Sequence, residues 1–440
     1  MSETTNAAYL TYRRDIAGIP ARAVWNALRS AELDLFMDFD SALDERTRAL
    51  ISAQIAARPY CLVIGTHGSF ERCVESADWL RFQLETAQRA QAQIIVLHPP
   101  EFEFAQATRM LGGLLNGALA FPITYESLPA DMTRLRLAHL KPRPARPASE
   151  LDPQLLAEWQ ARLAALPPVD SDQIAAQKLF ERAFTRPQGD WHSRIADYSA
   201  AIARYPEFAS AYARRGANRE ILDDLHGAME DFDTALRLNP LHEVAYVNRG
   251  ILFAKLGDLH SALLDLNEAL RLNPTLTLAY YHRALAASSR GDYDAALADL
   301  TRAIEFEPRA MFYFQRGLAY SAKGDDANAL ADYTESLRLN PKLAEAYYNR
   351  GLIRAKSDMR RAVADWTAAL EANPKLAEAY YNRGLARAHW GDIDGTLEDM
   401  INFLELMPDH DKTAEVRQMI EDLRQMRDGN LPSAGAGGDE

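Results

Sequence analysis

Seven prolines, at positions 206, 240, 274, 308, 341, 374 and 408, follow one another at intervals of 34, 34, 34, 33, 33 and 34 residues. Proline stops helices, and a fixed period near 34 residues is the mark of a helix–turn–helix unit repeated along the chain. No single unit buries its apolar side alone; stacking against its neighbours does. The interior of each period agrees. A small residue follows most prolines after ten positions, as Gly216, Gly250, Ala284, Gly351 and Gly384, and after nine as Gly317. A tyrosine stands four before it: Tyr212, Tyr246, Tyr280, Tyr313, Tyr347 and Tyr380. Twelve after it comes Ala228, Ala262, Ala296 or Ala329, where a second helix needs a small contact. The fifth unit is one residue short at Lys356-Ser357-Asp358, so Ala362 comes early, and in the sixth Thr396 takes the alanine position.

From Ser171 to Pro408 this pattern resembles the tetratricopeptide (TPR) repeat family. A degenerate first unit over Ser171 to Pro206 brings the total to about seven. Residues 412–427 read as a terminal helix that covers the last apolar face, and 429–440 as a Gly/Ser-rich disordered tail. The resemblance implies an all-α solenoid over 171–428 that binds a protein or peptide partner in its groove.

Two charged ladders share the period. Arg215, Arg249, Arg283, Arg316, Arg350 and Arg383 precede the small residue, and Asp231, Asp265, Asp299, Asp332, Asp365 and Asp399 follow it. The arginines form either a basic stripe for an acidic peptide or one half of a row of Arg–Asp ion pairs. Matched numbers at one period favour the ion pairs. Asn248, Asn349 and Asn382 are ordinary for this repeat and do not mark a peptide clamp.

With 440 residues the chain needs two or more domains. Residues 7–140 alternate short apolar runs with helical patterns, which predicts a parallel sheet covered on both faces. The strands are placed at Ala8–Tyr12, Leu33–Phe39, Tyr60–Gly65, Ile94–Leu97 and Phe121–Tyr125. The helices are placed at Ile19–Ser30, Glu45–Arg58, Asp78–Ala90, Ala105–Leu115 and Met132–Leu140. The expected strand order is the flavodoxin-like 2-1-3-4-5, with ligands beyond the carboxyl ends at the switch between strands one and three. The residues there are polar: Tyr12 to Asp15, then Asp38, Asp40 and Ser41, then Thr66 to Ser69.

Three stretches of this region resemble bacterial TIR domains. They are Tyr9 to Asp15, Leu35 to Ser41, and Gly68 to Cys73 followed by Asp78-Trp79-Leu80-Arg81. The resemblance implies a five-stranded α/β domain over 1–141. Such domains either associate with one another in signalling scaffolds or, once assembled, cleave NAD between nicotinamide and ribose, as in bacterial defence. It also implies a nucleotide site of Tyr12, Arg13, Arg14, Asp40, Ser69 and Trp79. The cleaving members carry a glutamate four residues after the tryptophan; here that position is Gln83, which bonds hydrogen but carries no charge and is no base. Glu85 lies about 200° further round the helix and is expected to face elsewhere. The loop after Asp40 lacks the glycine or proline common in the family.

Between the two regions, Pro142, Pro144 and Pro147 read as a stiff linker, followed over 150–166 by an amphipathic helix with Leu155, Leu156, Trp159, Leu163 and Leu166 near one stripe. The linker and helix together take 142–170. Net charge is -13, with 14 basic and 16 acidic residues up to Lys141 and 35 and 46 beyond it. That acidic surface disfavours nucleic acid. Cys61 and Cys73 show neither a disulfide framework nor a zinc site, and no leader or membrane span is expected, which points to the cytoplasm. The sequence therefore reads as a signalling scaffold that needs no cofactor, with NAD as a candidate ligand or substrate and self-association through the α/β domain. The alternative is an NAD hydrolase switched on by partner sensing.

Overall fold

The structure is a computed structural model that describes residues 4–5, 7–12, 14–29, 33–37, 45–66, 79–100, 102, 104, 107, 114–125, 127–144, 153–165 and 168–428. It divides into two compact units, Met1–Arg290 and Gly291–Glu440.

Among the described residues the first unit opens with seven strands: β1 Thr4–Thr5, β2 Ala8–Thr11, β3 Leu35–Met37, β4 Tyr60–Ile64, β5 Gln93–His98, β6 Leu119–Pro122 and β7 Arg143–Pro144. Five of them form a parallel sheet in the order β3-β2-β4-β5-β6. Counted along the chain this is the expected 2-1-3-4-5. Every residue of β2 and β4 is buried, as a sheet covered on both faces requires. Helices α1 Arg14–Arg29, α2 Glu45–Ala57, α3 Trp79–Arg89 and α4 Leu128–Ala138 accompany the strands. The expected helix at Ala105–Leu115 lies largely outside the described residues. The two short strands β1 and β7 pair antiparallel, and their few residues carried no sequence signal.

Two helix starts differ from the sequence reading, and among the strands β3 begins at Leu35, not Leu33, and β6 runs Leu119–Pro122, not Phe121–Tyr125. Helix α1 begins at Arg14, not Ile19, and carries Pro20 in its interior. A proline more often sits in a first turn, which misplaced the start. Helix α4 begins at Leu128, with a proline in its first turn and Asp131 buried in hydrogen bonds from the Thr124 amide (2.9 Å) and Ser127 Oγ (2.8 Å).

The rest of the first unit is helical: α5 Pro153–Ala164, α6 Ser171–Thr185 and α7 Trp191–Arg204, then Ala209–Ile221 with Leu225–Leu238, Glu243–Lys255 with Leu259–Leu272, and Thr277–Ser289. The second unit holds Tyr293–Phe306, then the pairs Ala310–Ala322 with Asp326–Leu339, Ala344–Arg354 with Met359–Ala372, and Ala377–His389 with Ile393–Leu406, closed by Thr413–Arg427. Helices α6 and α7 stand where the degenerate first repeat was expected, and Thr413–Arg427 where the terminal helix was.

Each second helix starts on an aspartate. Asp190, Asp224, Asp258, Asp292, Asp325, Asp358 and Asp392 each accept a hydrogen bond from the backbone N–H three residues on. The negative charge also suits the helix N-terminus. At the other end, Asn239, Asn273, Asn340 and Asn373 accept from the amide two residues on, which turns the chain at each proline.

The small residue of each first helix meets a large one. A Cβ on Gly317 would lie 2.7 Å from the Tyr333 ring, and one on Gly351 would lie 2.6 Å from Trp366. Most turns inside the repeats hold a left-handed residue, a glycine at Gly189 (φ 95°), Gly257 (φ 85°), Gly291 (φ 80°), Gly324 (φ 79°) and Gly391 (φ 76°) but Asp223 (φ 63°) in the second repeat, while the shortened turn at Lys356-Ser357-Asp358 does without one. Two substitutions should therefore move stability in opposite directions. Gly317→Ala overpacks the helix pair at ~1–3 kcal/mol, more than the ~0.5–1 kcal/mol gained in helix propensity. Asp223→Gly relieves up to ~1 kcal/mol of left-handed strain. Urea unfolding of the two variants checks both signs.

Candidate functional site

Tyr12 follows β2 and is buried, while Thr66 follows β4 and is 1% exposed. Arg14 and Trp79 begin α1 and α3, which places both beside the carboxyl ends of the strands. Their side chains, and all of Arg13, Asp40 and Ser69, lie outside the described residues, as do His67 and Cys73. Over the ends of β4, β5 and β6 lies a small, largely apolar cavity lined by Ile64, Thr66, Leu97, Pro99, Ile123 and Tyr125.

Gln83 is 0% exposed. Its amide nitrogen donates to the Tyr9 hydroxyl at 3.0 Å, and its carbonyl accepts from Thr11 Oγ1. A buried amide must have such partners, and a neutral one needs no counter-charge. Gln83 thus joins α3 to two residues of the same face of β2. Glu85 does face elsewhere: it is half-exposed and accepts from Arg81 at 2.8 Å. His98 packs against Phe102 and Phe104 and hydrogen-bonds the Pro99 carbonyl at 2.8 Å, while burial pushes the Cys61 thiol up to about 12. Among the described residues no group of three or more His, Cys, Asp or Glu could hold a metal ion.

The Gln83–Tyr9 pair continues as an aromatic row. Tyr9 stacks on Phe36 of the edge strand β3, and Phe36 stacks on Trp159 of α5, each at 5.9 Å between centroids. The Trp159 indole donates to the Met37 carbonyl at 3.0 Å. The helix read as a connector is therefore packed into the core of the sheet domain through Trp159 and Leu163. Helix α6 docks on the sheet domain as well. Ile19 of α1 shares a core with Ala176 and Phe180, and the Tyr125 hydroxyl donates to the buried Glu181 at 3.1 Å. Sequence spacing showed that α5 is amphipathic, but not where its apolar stripe goes.

The arginine ladder is spent inside the repeats. Arg215, Arg249, Arg316, Arg350 and Arg383 each grip the aspartate of their own second helix with two nitrogens, at 2.6–3.0 Å. These aspartates are buried, at 7% exposure or less. The remaining Nη1 of each donates to the second helix of the preceding repeat: to Ser199, Asp233, Thr301, Thr334 and Thr367, respectively. Arg283 makes the same backward bond to Asn267, at 2.6 Å. All six guanidinium groups also lie 5.4–5.8 Å above the ring of the tyrosine three residues earlier. A second arginine joins in three repeats, where Arg219, Arg354 and Arg387 reach the same carboxylates at 2.9–3.0 Å. Of the two readings of the ladder, the structure has the ion pairs. Hydrogen bonds to Asp265 hold the Arg249 pKa above its ordinary value. The degenerate repeat keeps the device on different residues, with Arg182 and Arg186 on the buried Asp197.

Family models of tetratricopeptide repeats match residues 222–277, 278–309 and 317–358. Within residues 222–358, therefore, the helical region carries TPR repeats. Similar solved structures include YrrB, described as a TPR protein with an unusual peptide-binding site, at 23% identity over 43% of this chain and 99% of that one, TM-score 0.37. MamA matches at 26% identity over 39% and 96%, TM-score 0.35, and PilF of Pseudomonas aeruginosa at 16% identity over 48% and 97%, TM-score 0.45. No curated protein matches the chain. No helix among the described residues is long and apolar enough to cross a membrane.

Burial of Asp197 opposes its charge, but hydrogen bonds from Arg186 and Arg182 outweigh this and hold its pKa below the ordinary aspartate value. Stability from such a group is complete above the unfolded pKa of about 4 and is lost as pH falls through the folded value. An Asp197→Asn variant should thus be less stable than the native protein at pH 7, with the gap narrowing below pH ~4. Parallel urea titrations at neutral and acid pH read this directly, and a gap independent of pH would contradict it.

Proposed function

We propose that the protein is a signalling scaffold. Its TPR repeats hold a protein or peptide partner, and its α/β domain associates with further copies of itself or with a related domain. The repeats carry this reading. Stacked helix pairs of this kind present side chains from many units to one partner, and their family is a protein-interaction module. The sheet domain is joined to the first repeat through Ile19 and Tyr125, so a partner held on the repeats is mechanically linked to it.

The second reading, an NAD hydrolase activated by assembly, rests on the strand-end residues Tyr12, Arg13, Arg14, Asp40, Ser69 and Trp79. Gln83 supports the scaffold over the hydrolase. Its amide is uncharged, buried and committed to Tyr9 and Thr11. A carboxylate that stabilises an oxocarbenium-like ribose would need a charge facing the sugar. The two readings separate on release of nicotinamide from NAD by the full-length protein at high concentration, measured beside Gln83→Glu. The scaffold reading expects no release above the buffer blank from the native protein. Clear native turnover overturns it.

A further inference from the structure

In the second unit the first helices Ala310–Ala322, Ala344–Arg354 and Ala377–His389 each bear a stripe at spacing i, i+3, i+4, i+7, beginning at Met311, Glu345 and Glu378. Along each stripe the residues are methionine or glutamate, then an aromatic, then glutamine or asparagine, then leucine; none is Lys or Arg. Phe314 of the first stripe is buried against Tyr333, but other stripe residues are joined across helices or exposed. The Asn382 amide donates to the Tyr348 hydroxyl of the neighbouring first helix at 3.1 Å, and Met311 and Leu352 stand 40% and 38% exposed. Glu345 and Glu378 are exposed at the start of their stripes, and neither makes an ion pair among the described residues. The arginines on these same helices point the other way, onto Asp332, Asp365 and Asp399. Lys412 reaches the stripe at its C-terminal end, where it lies over the Tyr381 ring at 4.3 Å.

We infer that this face takes an extended peptide of apolar residues interspersed with lysine or arginine, and that it discriminates against acidic tails. The inference rests on the reading of the repeats as a partner-binding module and names the partner's charge. Apolar side chains of the peptide cover Met311, Leu352 and the tyrosine rings. Its cations meet Glu345 and Glu378, whereas an acidic peptide would bring like charges together there, the ladder arginines being held by Asp332, Asp365 and Asp399 and Lys412 lying over the Tyr381 ring. Lysine and arginine side chains suit such a face, because their stems lie on apolar surface while the charge reaches the carboxylate.

The test is fluorescence anisotropy on the full-length protein with two labelled, C-terminally amidated nine-residue probes, one alternating leucine and lysine, the other leucine and glutamate. The lysine probe is expected to bind at least tenfold more tightly. A Glu345→Lys/Glu378→Lys variant should lose that binding tenfold, while the charge-matched Glu398→Lys/Glu405→Lys control, exposed on a second helix, should keep it. Equal losses in the two variants would assign the binding to overall acidity and overturn the inference. Preference for the glutamate probe would overturn it too, yet leave the repeats as a binding module. Failure of both probes to bind counts against the inference and the module reading together.

Discussion

A guanidinium reaching three helices is the contact on which the repeat region depends. Five of the six ladder arginines, Arg316 among them, hold the aspartate of their own second helix with two nitrogens, reach back to the preceding second helix with a third, and rest on a tyrosine ring of their own helix. The aspartates are almost fully buried, so each would carry an uncompensated charge without its arginine. Loss of one partner from a buried pair costs more than the intact pair contributes, because the other charge stays behind. Planar, bidentate geometry also admits one relative position of the two helices far better than its neighbours. The glycine-on-ring contacts act at the same interface and set how closely the helices approach.

This arrangement decides which surface is left for a partner. The most regular positive charge in the sequence is turned inward, and the recurring aspartates are occupied by arginine or by helix N-termini. Much of the acidic excess beyond Lys141 is thus structural. In the second unit the stripes of the first helices carry aromatic, amide and leucine side chains with few charges. In the sheet domain, polarity is likewise spent on structure where the residues are described. Gln83 links α3 to β2, and Trp159 ties α5 to the edge strand.

The repeats were legible because their constraints recur. Proline, glycine, tyrosine and arginine each return at a fixed place, so one misread position is corrected by five others. The parallel sheet and its strand order were legible from continuous apolar runs such as Tyr60–Ile64. The seven aspartate caps were in principle readable too, since they share the period and five of them follow a turn glycine. Three features were not readable. The burial of Gln83 depends on what Tyr9 and Thr11 do across the sheet. The docking of Trp159 on Phe36 and Met37 links residues more than 120 positions apart. The start of α1 at Arg14 contradicts the usual place of a proline. In each case tertiary packing decides, and local spacing holds no record of it.

The most direct test of the central claim is a double-mutant cycle on Arg316 and Asp332, read by urea unfolding of the native protein, Arg316→Ala, Asp332→Ala and the pair. If the clip organises the repeats, each single change should cost ~3–5 kcal/mol, and the double variant should lose much less than the sum, with a coupling of ~2–3 kcal/mol. A coupling below ~0.5 kcal/mol, the value typical of exposed ion pairs, would mean that apolar packing alone sets the helix pairs and would contradict the account.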